Sequence, residues 1–507
     1  MNSLPLLSLL VFTPMAGAVL LFALPRLAPG LSRTIALFFS LSTLVLGTTV
    51  LCNFDPAAVA PQFVEHHAWI STLHVNYHLG LDGLSLVLVL LTGIIAPVAL
   101  FGTGKQASQP ALHAALFLLL QGAALGVFLA LDFFPWFIFW ELSLVPAFFL
   151  IKLWGGKDAT AAAYQFVIYT IGGSAFMLLG FAALYAATGT FDFLQLAALA
   201  REGTLAGQLA GLGGIWPQAV FLGVLLGLAV KVPLFPFHTW LPSAYAEAPT
   251  GTSMFLTGVM SKMGVYGFLR ILWPLFPAPL HAAAPCLLWL ALGGVVFGAY
   301  AALRQTDLKR MVAYSSVNHL SYCLLALFAV TATARPGSES ATAALSGTIL
   351  QLFNHGLSAA ALFFGVGVLE SRAHGRRGLN DFGGVRTAAP VFAGLCGIAL
   401  FSSLGLPGLN GFVGEFLIFR GVFGLAPWAA GVACLGLLAT ALFLLTFWQR
   451  VFHGPANGAG VKFRDLDATE VVTLLPLVAL MFILGIVPQL LAGLINPLVT
   501  AWVANLP

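Results

Sequence analysis

Charge is what this sequence has least of. Only 7% of its 507 residues are Asp, Glu, Lys or Arg, while 60% are hydrophobic; the mean hydropathy is +0.99. So little charge cannot coat a soluble domain, and the composition fits a polytopic membrane protein instead. The formal net charge of +4 is therefore no argument for nucleic-acid binding. Cysteine is scarce as well. Cys52, Cys286, Cys323, Cys396 and Cys434 are scattered, with no CxxC or CxxCH spacing, so neither a disulfide framework nor a haem or iron–sulfur site is supported. There is no GxxxxGK[ST] loop and no dinucleotide fingerprint opening a soluble unit, which leaves no recognisable nucleotide site.

What is abundant is apolar length. A helix needs roughly 20 apolar residues to cross a bilayer, and about fourteen such spans can be placed. They run over 4–24, 31–52, 81–101, 111–131, 133–154, 162–187, 220–245, 250–273, 283–303, 308–330, 341–369, 390–419, 426–451 and 471–503. The first has no lysine or arginine before it and Arg26 after it, so it reads as a retained span rather than a signal peptide. The last is longer than needed and can bend at Pro488. A polar loop over 53–79 holds His66, His67, His74 and His78 with Asp55 and Glu65. No spacing there is distinctive of a metal site, so none is expected. The stretch TFDFLQLAALAREG after the sixth span suits an interfacial helix. The expected fold class is an all-α polytopic membrane protein.

The placement of basic residues tests this map. Of the 21 lysines and arginines, 15 fall in loops after odd-numbered spans and four (Arg201, Arg270, Arg335, Arg420) after even ones; Lys231 and Lys262 lie inside spans. Cytoplasmic loops collect lysine and arginine, so both termini are expected outside the cytoplasm, in the periplasm of a bacterial inner membrane.

Two spans are interrupted. The seventh carries Lys231, then Pro233 and Pro236. Each proline removes a backbone donor and clashes with the preceding turn, so the helix is expected to open and to resume toward Ser243. The twelfth is broken by SLGLPGLNGF. Backbone that unwinds at membrane depth must be buried in protein or line a wet cavity. The breaks stand five spans apart and so run in opposite directions, which predicts two inverted five-helix units of the transporter kind. The corresponding divisions are 1–110 (spans one to three), 111–273 (first half), 274–452 (inverted second half) and 453–507 (last loop and span).

Among the ionisable residues within spans, six carry the functional reading: Glu141, Lys231, Lys262, His319, His355 and Glu415. Each central lysine costs roughly 2.5–3.5 kcal/mol on insertion scales. Glu141, Lys231, Lys262 and Glu415 read either as neutralised pairs that only fix helix register or as a conducting series. His319 and His355 read as packing histidines or as relay groups. Asp132 and His238, near the span ends, read as structural. Desolvation and a nearby carboxylate act on a buried lysine in opposite senses, so moving the carboxylate changes its hold on a proton. Histidine exchanges protons near neutrality without help. Protons are therefore the favoured cargo.

The segments WELSLVPAFFLI, AVKVPLFPFHTWLPSAYAEAPTGTSMFLTGVMSKMGVYGFLR, DLKRMVAYSSVNHLSY and GLPGLNGFVGEF resemble the proton-translocating antiporter-like subunits of respiratory complex I, over essentially the whole chain. Glu415 matches the chain M branch of the bacterial NADH-quinone oxidoreductases, where sister chains and multisubunit sodium/proton antiporters usually carry lysine. The resemblance implies that Glu141 pairs with and tunes Lys231, and that Lys262 and His319 continue the path. It also implies that His355 lies near the link between halves and that Glu415 ends the second half-channel. No cofactor is expected in this chain; NADH, flavin, iron–sulfur clusters and quinone are expected in partner subunits, among other membrane subunits that include sister antiporter-like chains. The alternatives are a sodium/proton antiporter subunit without redox partners and a structural anchor.

The charge map predicts that reporter fusions at both termini behave as exported. A cytoplasmic signal at just one end would mean the span count is wrong by an odd number.

Overall fold

The computed structural model describes residues 4–102, 108–455 and 463–506; Lys105 and Lys462, counted above, lie outside them, as do residues 1–3. Among the described residues, eleven helices are long and apolar enough to cross a membrane. The seventh, eighth and twelfth expected spans are instead built from shorter pieces.

The seventh breaks where the prolines dictate. Trp216–Lys231 ends at Val232, and Trp240–Glu247 resumes the helix, three residues earlier than Ser243. Opening the helix orphans carbonyls, and one is satisfied at once: the Trp240 indole donates to Val230 O at 3.0 Å. The eighth, expected as one span, contains two π-helical turns, Leu256–Met260 and Phe268–Leu272. The twelfth is Pro390–Ser403 followed by Asn410–Leu425. Its connection turns through Gly405 (φ +80°) and Gly408 (φ +93°), where a side chain would be strained. The last span does divide at Pro488, into Ala468–Ile486 and Gln489–Ala504.

The fold is not purely helical. The loop after the second span holds an antiparallel hairpin, β1 (Gln62–Ile70) and β2 (Val75–Leu81). His74 closes the turn with a left-handed backbone. The sequence reading missed it because few of the hairpin's apolar side chains are buried and its strands carry three histidines, with a fourth, His74, in the turn. Glu65 of β1 explains its placement: its carboxylate accepts from Leu7 N at 2.8 Å and from Ser8, tying the hairpin to the first helix. Beyond the sixth span, Phe193–Arg201 and Thr204–Gly211 form two short helices where an interfacial helix was expected.

The centre of the bundle is Glu339–Arg372, whose membrane-length window is wholly buried. Small residues let its neighbours approach closely. A Cβ on Gly347 would meet Gly414 O at 2.9 Å, and one on Gly356 would meet Gly258 O at 2.9 Å. Charges from three loop regions gather at one end. Arg377 binds Glu247 and Asp307, each at 2.6 Å, and Lys309 binds Glu370 at 2.7 Å. This network fastens the end of the broken seventh span to its neighbours. Burial disfavours the Arg377 charge, but Asp307 and Glu247 outweigh it and hold the guanidinium above its ordinary value. Arg270 corrects the charge map: it is not in a loop but in the second π-turn, bound to Asp82 at 2.6 Å. Asp82 also accepts from Ser85 N at the start of Gly83–Gly102, so the arginine finds its partner on a helix cap.

The helix Ala468–Ile486 leans directly on the second break. A methyl at Gly485 would meet Gly408 O at 2.3 Å and Leu409 C at 2.5 Å, whereas one at Gly493 meets only the end of the Gln489 side chain at 3.9 Å. Gly485→Ala should lower stability by about 1–3 kcal/mol through overpacking, and Gly493→Ala should not. Thermal inactivation midpoints of the two variants compare them; equal midpoints would refute the packing argument.

Candidate proton path

Lys231, Lys262, His319, His355 and Glu415 are all buried, and Glu141 is half-buried. They fall into two groups. The first surrounds Lys231, at the last turn before the proline break. Its Nζ donates to Ser143 Oγ at 3.5 Å, a long contact, and lies 4.9 Å from the centre of the Trp140 ring. An ammonium over an indole face is favourable, more so when desolvated. No ion pair joins Glu141 to Lys231, and Glu141 Oε1 is buried without a hydrogen-bond partner. The pairing that the resemblance implies is thus not a direct contact in this structure. Glu141 lies near the end of the helical piece Phe133–Leu142, and Ser143 joins it to the next, Leu144–Trp154.

The second group is continuous. Lys262 Nζ donates to Thr257 O at 2.5 Å and to Ser261 Oγ at 3.2 Å, and contacts His355 Nδ1 at 2.7 Å. Those three partners match the three N–H groups of an ammonium, so the charge is satisfied without a carboxylate. The first π-turn makes this possible. Thr257 lies within it, and Ser261 N bonds to Leu256 O, so the helix ladder slips by one residue and the Thr257 carbonyl accepts from side chains, from Lys262 Nζ and from Ser261 Oγ at 2.8 Å. Such π-turns cluster at functional sites. The crossing of Gly258 with Gly356 then sets Lys262 against His355.

From His355 the series continues to His319, with ring centroids 5.3 Å apart. His319 Nδ1 lies 2.9 Å from Glu415 Oε1. The distance is that of an ion pair, but neither His319 nitrogen is aligned with a hydrogen-bond partner. Gln351 Nε2 donates to the same Glu415 oxygen at 3.2 Å. A Cβ on Gly405 would stand 2.9 Å from Glu415 Oε2, so the carboxylate reaches the open backbone of the second break. Ser402 Oγ donates to Asn410 Oδ1 at 2.6 Å, and Asn354 Nδ2 to Asn410 O at 2.7 Å, satisfying polar groups which the break exposes.

The order along the series is Lys262, His355, His319, Glu415, with His355 in direct contact with the first-half lysine. Among the described residues no hydrogen bond or ion pair joins Lys231 to Lys262. Asp132 and His238 stand apart from the series. Asp132 caps Phe133–Leu142, accepting from Phe134 N at 2.9 Å and from Asn76 N at 3.1 Å; burial raises its carboxyl to about 6 despite those bonds. His238 stacks on Phe235. Sequence reasoning missed Ser143, Thr257, Ser261 and Gln351. Only Gln351 carried a signal: it lies four residues before His355 and so shares its helix face.

Residues 130–442 match the family described as NADH:quinone oxidoreductase/Mrp antiporter, TM. The NADH-quinone oxidoreductase subunit M of Mycobacterium tuberculosis is 35% identical, over 98% of this chain and 94% of its own length. The F420H2 dehydrogenase subunit M of Methanosarcina mazei is 37% identical, over 96% of this chain and 95% of its own. A chain of respiratory complex I from Thermus thermophilus superposes with a TM-score of 0.85 at 29% identity, covering 99% of this chain and 100% of that one.

If the Glu141 carboxylate rather than the Ser143 hydroxyl governs Lys231, Glu141→Ala should cut coupled proton translocation in vesicles at least about tenfold, short of the roughly 10²–10⁴-fold of a lost general acid or base. Glu141→Asp should keep part of it and Ser143→Ala most of it. The reverse ranking, with assembly intact, would assign Lys231 to the hydroxyl.

Proposed function

The chain belongs to the NADH:quinone oxidoreductase/Mrp antiporter transmembrane family, and we propose that it carries protons through the membrane arm of a redox-driven quinone oxidoreductase. The observation that carries this reading is the buried run from Lys262 through His355 and His319 to Glu415. A proton leaving Lys262 Nζ has His355 Nδ1 as its neighbour, and imidazole can accept at one nitrogen and release from the other. His319 and Glu415 then offer the next base and the terminal acid. Between Lys231 and Lys262 the proton needs mobile water or side-chain motion. Glu141, Lys231, Lys262, His319, His355 and Glu415 are the transfer residues of this proposal.

The chain offers no recognisable nucleotide or redox motif. Electron transfer is therefore assigned to partner subunits that hold the flavin, iron–sulfur clusters and quinone, and it reaches this chain as conformational or electrostatic change. Sister antiporter-like chains are proposed as its membrane neighbours. The relatives above are named for two different electron donors, NADH and F420H2, which fits a division of labour in which the partners set the donor. The location is a bacterial inner membrane with both termini periplasmic, and spans four to eight and nine to thirteen are taken as the inverted halves. The family also includes antiporters without redox partners. Glu415, where the resemblance places lysine in those proteins, favours the redox-driven branch.

Glu415→Gln keeps shape and hydrogen bonding but removes the exchangeable charge. Proton pumping per electron, measured in vesicles with assembly checked independently, should fall at least about tenfold. Wild-type pumping would remove Glu415 from the path.

A further inference from the structure

The hairpin absent from the sequence reading assembles three metal-ligating side chains. β1 and β2 pair so that His66 faces His78 across the ladder, and their rings meet edge to face with centroids 4.7 Å apart. Asp192, at the head of Phe193–Arg201, places Oδ2 2.6 Å from His78 Nδ1. One ligand atom from each of the three lies within 4.8 Å of the others. His78 and Asp192 are buried and His66 is exposed, so the cluster has a fixed inner wall and one outer ligand free to adjust.

We propose that His66, His78 and Asp192 bind a divalent transition-metal ion of the zinc class, with water in the remaining position. Two imidazoles and a carboxylate are the donor types such an ion takes. Bond lengths of about 2.0–2.2 Å at tetrahedral angles put two donors of one ion roughly 3.3–3.6 Å apart. The 4.8 Å limit observed here therefore needs up to about 1.5 Å of closure, which the exposed His66 supplies, while the 2.6 Å contact of His78 Nδ1 with Asp192 Oδ2 opens by roughly 0.7 Å or is replaced by ligation through the other His78 nitrogen. Asp192 is already aimed. Its Oδ1 accepts from Leu194 N at 2.8 Å and Gln195 N at 3.0 Å, so the cap holds the carboxylate while Oδ2 faces His78. Asp132, bridged to Asp192 through the backbone, adds a second carboxyl group beside the site.

Access is present on the same face. Ala68 and Asn76, the cross-strand pair two positions along from His66 and His78, line a cavity of about 730 Å³ together with Thr190 and Gln195. Side chains two apart on a strand share a face, so this cavity lies next to the cluster and can admit the ion and its water. A bound ion ties the hairpin to the turn before Phe193–Arg201, two segments far apart in sequence. The plain alternative is that His78 merely hydrogen-bonds the capping aspartate, in which case His66 has no part.

His67 separates the two readings, because it pairs with Tyr77 and points to the opposite face. The purified complex containing this chain should be titrated with Zn²⁺ against a fluorescent chelator, as wild type, His66→Ala and His67→Ala. The site predicts one ion per chain whose affinity falls at least about tenfold in His66→Ala and is unchanged in His67→Ala. Equal binding by His66→Ala and wild type overturns the proposal. So does an equal loss in both variants, which would mark unspecific binding to surface histidines.

Discussion

A cation buried in hydrocarbon must be surrounded by acceptors before it can be stable there, and the placement of Lys262 meets that demand with neutral groups. Its three donors go to a backbone carbonyl, a hydroxyl and an imidazole. Each depends on a feature of backbone rather than of charge. The carbonyl comes from a π-turn, and the imidazole comes from a helix that approaches because Gly258 and Gly356 face each other. With no carboxylate to neutralise it, the lysine is held without being locked. Its closest titratable neighbour is the imidazole of His355.

The same economy of charge explains the two breaks. Prolines open the seventh span beside Lys231, and glycines in left-handed backbone open the twelfth beside Glu415. Opened backbone in a membrane needs partners, and each break recruits them locally: the Trp240 indole in one, Asn354, Ser402 and Asn410 in the other. Each break thereby places a charged side chain beside backbone that is already polar. By contrast, the strong ion pairs of Arg377, Lys309, Arg372 and Arg270 lie at span ends, where they fasten helices. Paired charges fasten the helices at their ends, whereas the groups of the proposed path meet in the interior.

Composition and pattern alone determined that the chain is a membrane bundle, where most spans lie, and that the seventh and twelfth are broken. These are local properties: apolar length, a missing donor at proline and a charge within an apolar run are all written in consecutive residues. The six ionisable groups were legible for the same reason, since charge is conspicuous against hydrocarbon. What only the tertiary structure decided was which of them touch. That His355 stands between Lys262 and His319, that Glu141 keeps its distance from Lys231, and that Arg270 is bound to Asp82 all depend on helix crossings. Crossings are set by glycines and π-turns acting between residues far apart in sequence. The hairpin stayed hidden because its strands bury few apolar side chains; Glu65 on the first helix and Asp192 on His78 hold it, and neither partner is near it in the chain.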